Sequence, residues 1–291
     1  VIDLDTLAAF DGLQWLRTGE EVEKRYGVSA STISRQSQRC LRRFGLRLER
    51  REGEWHVVGD ATLLQMERRV HQTARWLGQR PLRLEATYWS GPLLATPTPP
   101  GWILGLSSIV GIPRNLQLVR DRIVDAFLTG LPDLPDPDDP DLTALVLSSM
   151  PVFFVAAPDH PLRRQSRLSL AEIARFPSLA LPANSYPRVE ADLRRIGLWN
   201  DPVRMTRYRR DHWEGRAEAD LTIGYGTPLS LEVSGGSLVR LPLELPFRSG
   251  EALVVRRESL DHPKLLALRQ LLLGRLRQLA ERHPEIEVLA D

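Results

Sequence analysis

The stretch VSASTISRQSQRCLRRFGLRLERREGEW, Val28 to Trp55, decides how the chain is read. Ser29 or Ser31 stands where a helix would begin, because a short hydroxyl side chain can accept a bond from a first-turn N–H that has no partner within the helix. Ile33, Cys40 (or Ser37), Leu41 and Phe44 then recur at helical spacing and predict an inward face. Between positions 35 and 51, Arg35, Arg39, Arg42, Arg43, Arg47, Arg50 and Arg51 stand against Glu49 alone, a local excess larger than the +2 of the whole chain. After Phe44, LRLERREGEWHVV reads as strand, turn at Gly53, and strand.

Upstream, Leu4, Leu7, Ala8, Phe10 and Leu13 mark a first helix, and Val22 and Tyr26 a second that Gly27 can stop with left-handed backbone. Helix, short helix, glycine turn, third helix and hairpin is the order of a winged helix-turn-helix, whose third helix enters the major groove of DNA. Ser29, Ser31, Thr32 and Ser34 would sit near that groove. Arg35, Gln36 and Arg39 have the reach for base edges or phosphates, and Arg50 and Arg51 on the wing for the neighbouring backbone. Singly, such serines read as caps and such arginines as solvated surface; their ordered combination is what points to DNA.

Downstream, Asp60 can cap the helix DATLLQMERRVHQTARWLGQ, in which Leu63, Met66, Val70, Thr73 and Leu77 follow a three-four spacing. This narrow apolar seam predicts pairing with the same helix of a second copy, packing on the chain itself being the other reading. From Pro81 onward, short apolar runs such as LRLEATYW, WILGL, LTALVL and VFFVAAP alternate with helical segments, which implies an α/β sheet. The proline-dense LPDLPDPDDPD reads as a surface loop, and Pro92, Pro97, Pro99 and Pro100 prevent a full helix after the first strand.

A length of 291 residues suggests two or three units, and 42% hydrophobic with 26% charged residues argues against a disordered or fibrous protein. The single cysteine, Cys40, excludes an internal disulfide, argues against a cysteine-based zinc site and fits a reducing compartment. No apolar run approaches the roughly 18 residues needed to span a bilayer, and no secretory signal is recognised, so the expected location is the cytoplasm. His56, His71, His160, His212, His262 and His283 are scattered, without an HExxH pair. Asp133, Asp136, Asp138, Asp139 and Asp141 cluster, but without EF-hand spacing. No P-loop, GxSxG or GxGxxG is present, so neither catalysis nor a metal or other cofactor is expected.

The segment VSASTISRQS resembles the third-helix stretch of the LysR-type transcriptional regulators, close to VSQPALSRQI, keeping Val28, Ser29, Ser34, Arg35 and Gln36. It departs at Ala30 and Ser31, which replace the usual Gln and Pro, so any base contact made through that Gln does not carry over. MPVFFVAAPDHPLRRQSRLSLAEIARFPSLALP, from Met150, is similar to that family's crossing between effector lobes, with its DHPL turn and following helix. The resemblance implies a multi-domain α/β protein. A winged helix-turn-helix would span 1–59, a linker and dimerisation helix 60–80, and a two-lobed domain like a periplasmic binding protein 81–291. Lobe I would comprise about 81–157 and the C-terminal helix, and lobe II about 158–224.

An effector would lie between the lobes, where open sheets bind ligands at strand carboxyl ends. Candidate lining is Trp89, Ser90 and Gly91, then Asn184 and Ser185, then Gly224, Tyr225, Gly226 and Thr227. Ser90 and Ser185 stand beside helix starts, where they would either favour an anion or simply cap. The implied partners are double-stranded DNA, a small-molecule effector, further copies of the chain as homodimer or homotetramer, and RNA polymerase, with no membrane. The implied function is a DNA-binding transcriptional regulator whose operator binding or DNA bending the effector modulates. A DNA-binding protein that has lost sensing and a small-molecule enzyme remain as alternatives.

Overall fold

The N-terminal helices begin at side-chain caps and end at left-handed residues. In the computed structural model, which describes residues 2–179, 181–198, 205, 207–209 and 221–289, helix α1 (Leu4–Leu16) starts at Asp3, whose carboxylate accepts the Thr6 N–H at 2.8 Å. Helix α2 (Gly19–Tyr26) is capped by Thr18 and stopped by Gly27 at φ +67°. Ser29 caps α3 (Ala30–Phe44). That helix buries Ile33, Ser37, Cys40 and Leu41, while Phe44 is half-buried. Strands β1 (Arg47–Arg51) and β2 (Glu54–Val58) pair antiparallel as the wing. Leu7, Phe10, Cys40, Leu41 and Leu46 close a small core, in which burial pushes the Cys40 thiol up to about 12 and leaves it chemically quiet.

Helix α4 (Thr62–Trp76) is preceded by Ala61, and Asp60 caps from one residue earlier by accepting the Thr62 N–H at 3.0 Å. The helix has two faces. Leu64, Arg68, His71, Gln72, Arg75 and Trp76 are buried against the chain itself, whereas Leu63, Met66, Val70 and Leu77 are 60–72% exposed. The buried face is held by carboxylates. Arg68 donates to Asp11 at 2.9 Å, and Arg75 grips Asp125 through two bonds of 2.7 and 2.8 Å. Gln72 at 3.0 Å and the Arg83 N–H at 2.9 Å complete the shell of Asp125.

Lobe I is a five-stranded sheet in the order β4 (Trp102–Leu104), β3 (Leu82–Ala86), β5 (Ala126–Gly130), β10 (Glu251–Arg256), β6 (Leu142–Val146). Strand β3 runs parallel to β4 and β5, and β10 is antiparallel to both its neighbours. The period-two alternation of a strand sends Leu128, Leu253 and Val255 to one face, with α5 (Ser90–Leu94) and α10 (Pro263–Arg282). Phe127 and Val254 go to the other. There they meet α6 (Ile112–Arg120) and, unexpectedly, the winged helix: Trp15, Leu16, Val22 and Ile33 belong to this same core. Trp15 donates to Glu85 at 2.7 Å, Arg25 to the carbonyls of Leu104 and Gly105, and Arg114 to Glu54 and the carbonyls of Gln14 and Trp15. A cut at 59 or 80 therefore separates residues that pack together.

Lobe II is built on β7 (Ser148–Ala156), antiparallel to β8 (Gly224–Gly226), β9 (Val239–Ser249) and β11 (Glu287–Val288). Helices α7 (Leu170–Ile173), α8 (Pro187–Arg195) and α9 (Pro228–Ser234) accompany it. The expected lobe limits need correction. The chain changes sheet at Leu147 rather than near 157, and returns at Gly250 rather than 224, since β7 and β9 are both strands of the second sheet. Gly250 permits the return because a Cβ there would fall 2.0 Å from the Ser148 carbonyl oxygen. The first cleft helix, α5, is only five residues long, ahead of Pro97.

Replacing Asp125 would leave Arg75 buried and uncompensated, so Asp125→Ala is expected to destabilise the protein by about 3–5 kcal/mol. Urea denaturation of the full chain measures this, and a loss under about 1 kcal/mol would contradict the role given to this carboxylate.

Candidate DNA-reading face and interlobe cleft

The start of α3 projects from the surface. Ser29, Ser31, Ser34, Arg35 and Arg39 are exposed, and Thr32 and Gln36 half-buried. Ser29 accepts the Thr32 N–H and donates to the Thr32 hydroxyl at 3.0 Å, with the Ser31 hydroxyl 3.2 Å away. Arg35 donates to Thr32 at 3.2 Å, and Arg39 lies 3.8 Å from Asp3. On the wing, Arg51 pairs with Glu49 and Arg50 lies over the Trp55 ring. These solvent-screened contacts are weak enough to exchange for phosphates. Gln36 differs, because its Oε1 is buried without a hydrogen-bond partner.

A cavity with about 870 Å3 of empty space, counting its open mouth, lies between the lobes. Tyr88 and Trp89 enter it after β3, and Gly130, Leu131 and Asp133 after β5, at the carboxyl ends of parallel strands. Lobe II supplies Tyr186, Val189, Tyr225, Gly226, Thr227 and Phe247 among others. Of the residues expected to line an effector site, Trp89, Tyr225, Gly226 and Thr227 border the cavity.

The expectation fails for Ser90, Gly91, Asn184 and Ser185, none of which lines the cavity. Ser90 is fully buried with its hydroxyl against that of Thr87. Gly91 is packed on Ser107, where a Cβ would meet that side chain at 2.3 Å. Asn184 is exposed in a left-handed turn. Ser185 is buried, its hydroxyl turned onto the Ala183 carbonyl and its own carbonyl accepting the Ile112 N–H at 2.9 Å. Gly224 is buried in β8 outside the lining.

The start of α8 is closed instead by Asp133 of lobe I, which accepts the N–H groups of Arg188 at 2.7 Å and Val189 at 3.4 Å. Burial pushes the Asp133 carboxyl up, against the pull of these two donors. Tyr88 stacks on Tyr208 with ring centres 3.7 Å apart, and the Tyr208 N–H reaches the Ser108 carbonyl. Asp133 stood out in sequence only as a member of an acidic cluster, and Tyr88, Tyr186 and Tyr208 were not singled out, since their neighbours here are distant in sequence.

Trp89 is held in the wall by Glu251, which accepts its indole N–H at 2.7 Å. Glu251 is fully buried, and burial pushes its carboxyl up to about 8 against the pull of hydrogen bonds from Trp89 and Ser90. Burial of this kind favours the neutral carboxyl.

The comparisons with known proteins agree with this architecture. A family model described as the LysR substrate binding domain matches residues 109–277, and the chain belongs to the LysR family of transcriptional regulators. No curated protein sequence matches it. A full-length OxyR from Pseudomonas aeruginosa, solved as a cysteine-to-aspartate variant, is 16% identical, with 95% of this chain and 98% of that one covered at a TM-score of 0.57. Full-length CbnR complexed with its target DNA is 14% identical over 96% of this chain and 100% of that one, at 0.54. A full-length BenM carrying an arginine-to-histidine substitution is 14% identical over 99% of each chain, at 0.52. At such identities the likeness is one of fold.

Among the described residues no group of three or more His, Cys, Asp or Glu could hold a metal ion, and no helix is long and apolar enough to cross a membrane. His212 lies outside the described residues.

Because the folded carboxyl of Glu251 ionises near 8 rather than near its ordinary value of about 4.5, the fold favours its neutral form. Its contribution to stability is full below about 4.5 and is lost as pH rises toward about 8, by up to about 1.4 kcal/mol per unit. Glu251→Gln, which still offers Trp89 an acceptor, should flatten that decline. Urea midpoints measured across this range check it, and identical slopes for variant and wild type would remove Glu251 as the cause.

Proposed function

We propose that this LysR-family protein reads its operator as a symmetric oligomer through the start of α3 and the wing, and that a small molecule in the interlobe cleft biases how it holds or bends the DNA. The carrying observation is the joint presence, in one chain, of an exposed arginine-bearing winged helix and an open cavity between two lobes. Ser29, Ser31, Thr32, Ser34, Arg35 and Arg39 offer donors at the groove, Gln36 joins them on rotating its amide outward, and Arg50 and Arg51 address the flanking phosphates. Trp89, Gly226 and Thr227 face the effector.

The oligomer forms through α4. Leu63, Met66, Val70, Thr73 and Leu77 share its exposed side, and the four large apolar residues among them are a patch that water disfavours. A second α4 covers them with identical residues, which sets two recognition helices about one duplex turn, or a multiple, apart. The winged helix moves with lobe I because they share a core. An effector that prefers one arrangement of lobe II against lobe I therefore shifts the balance between two oligomer geometries, in proportion to its differential affinity for them. The protein works in the bacterial cytoplasm, beside DNA and RNA polymerase, as dimer or tetramer and without catalysis.

Arg35→Ala is expected to weaken binding of full-length protein to its operator and to lower the magnitude of the salt slope by about 1 if the contact is to phosphate. If Arg35 reads a base, sequence preference relaxes instead. Unchanged affinity and salt dependence in fluorescence anisotropy would remove Arg35 from the interface. Val70→Glu, placed mid-stripe on an exposed site, should leave the fold intact and shift sedimentation toward monomer. An unaltered oligomer would exclude α4 as the pairing surface.

A further inference from the structure

The winged helix-turn-helix and the cleft leave one question that the cleft's own chemistry answers, namely what charge its ligand carries. Three helix starts surround the cavity, and several of their donors are engaged within the protein. At α8 the Arg188 and Val189 N–H groups go to Asp133. At α9 a capping box is complete: Thr227 accepts the Ser230 N–H at 3.2 Å and Ser230 accepts the Thr227 N–H at 2.8 Å. At α5 the Gly91 N–H goes to the Thr87 carbonyl and the Ser90 N–H to the Thr87 hydroxyl. These backbone donors, of the kind that seat a carboxylate or phosphate at a helix start, are therefore already in use.

Charged side chains give the same answer. No arginine or lysine is among the described residues that line the cavity, and the titratable acid that does line it is Asp133. Arg188, the nearest cation on α8, turns its guanidinium away to the Pro132 carbonyl and to Asp136 at 2.6 Å. Against the described lining an anionic ligand would lose its hydration, meet a carboxylate and gain no counter-charge, the combination in which a charged group instead takes up a proton or stays out.

What the walls do supply is aromatic surface. Tyr88 and Tyr208 form a stacked pair, Trp89 is pinned by Glu251, and Tyr186, Tyr225 and Phe247 face them from lobe II. Hydroxyls of Thr227, Ser230 and Ser249 complete the lining; their protons are engaged within the protein, and their oxygens retain lone pairs that accept from a neutral amide or phenol without supplying charge.

We infer that the cleft takes an uncharged aromatic effector, held between the two aromatic walls and oriented by neutral hydroxyl contacts, and that it excludes carboxylates of the same shape. This rests on the sensing role proposed above.

The test uses full-length protein near neutral pH and three probes of one shape, naphthamide, naphthol and naphthoate, read by thermal shift and tryptophan fluorescence. The expected result is that naphthamide and naphthol bind roughly tenfold or more tighter than naphthoate, the factor that one pKa unit of charge penalty represents. Val189→Trp, which fills the cavity from α8, should abolish their binding. Ser249→Arg, which adds a cation to the wall, should bring naphthoate to parity or better.

Naphthoate binding the wild type as tightly as the neutral probes would overturn the inference and leave the sensing role standing. Neutral probes that still bind Val189→Trp would place their site elsewhere and overturn it as well. If none of the three binds, the sensing role falls and takes the inference with it.

Discussion

Two buried aspartates, Asp11 on α1 and Asp125 before β5, hold the guanidinium groups of Arg68, Arg75 and Arg83, and the rest of the architecture depends on that arrangement. Charges this far from water persist only when fully paired, so each arginine constrains both elements it joins. The result is a cross-brace between the winged helix, α4 and the first strand of lobe I. It explains how a helix with Arg68, Gln72 and Arg75 on one side can be buried along that polar side, while its leucine, methionine and valine stripe faces solvent. The usual relation between polarity and burial is inverted on α4 because the polar face meets its partners within the chain.

Behind the brace, apolar packing makes the attachment continuous. Trp15 and Ile33 rest on the face of the lobe I sheet that also carries Phe127 and Val254, and Glu85 in β3 takes the Trp15 indole proton. The same Glu85 accepts the Ser107 N–H at 3.0 Å, and the segment beyond it pairs Ile109 with Arg207 beside the cleft residue Tyr208. The DNA-reading element and the cleft are thus connected through a few residues of ordered chain as well as through the linker helix. Across the cleft, Asp133 on the α8 start and the Ile112–Ser185 bond fasten lobe II to lobe I.

Legibility followed the range of the physics involved. The cap at Ser29 and the stop at Gly27 are interactions within a few residues, and they were legible because the sequence contains both partners side by side. The apolar spacing of α3 and the alternation of short apolar runs with helical segments were legible for the same reason. Ser90 and Ser185 misled because a serine near a helix start has two local uses, and whether it points into a cleft is decided by what packs above it. Asp133 read as part of an acidic loop, yet it caps a helix about 55 positions away, a partner that no local pattern names.

By itself the sequence determined the winged helix-turn-helix order, the α/β region from Pro81, the apolar stripe on α4 and the want of a full helix after the first strand, which follow from periodicity, capping and proline geometry, while the effector role came with the resemblance to the LysR family. Only the tertiary structure decided that the winged helix and lobe I share one core, that the sheets exchange at Leu147 and Gly250, and that several donors at the helix starts around the cleft are already engaged. The physical reason is that buried charge and backbone donors must find partners wherever the fold brings them, and those partners lie tens of residues apart in sequence. The same requirement closes α8 with Asp133.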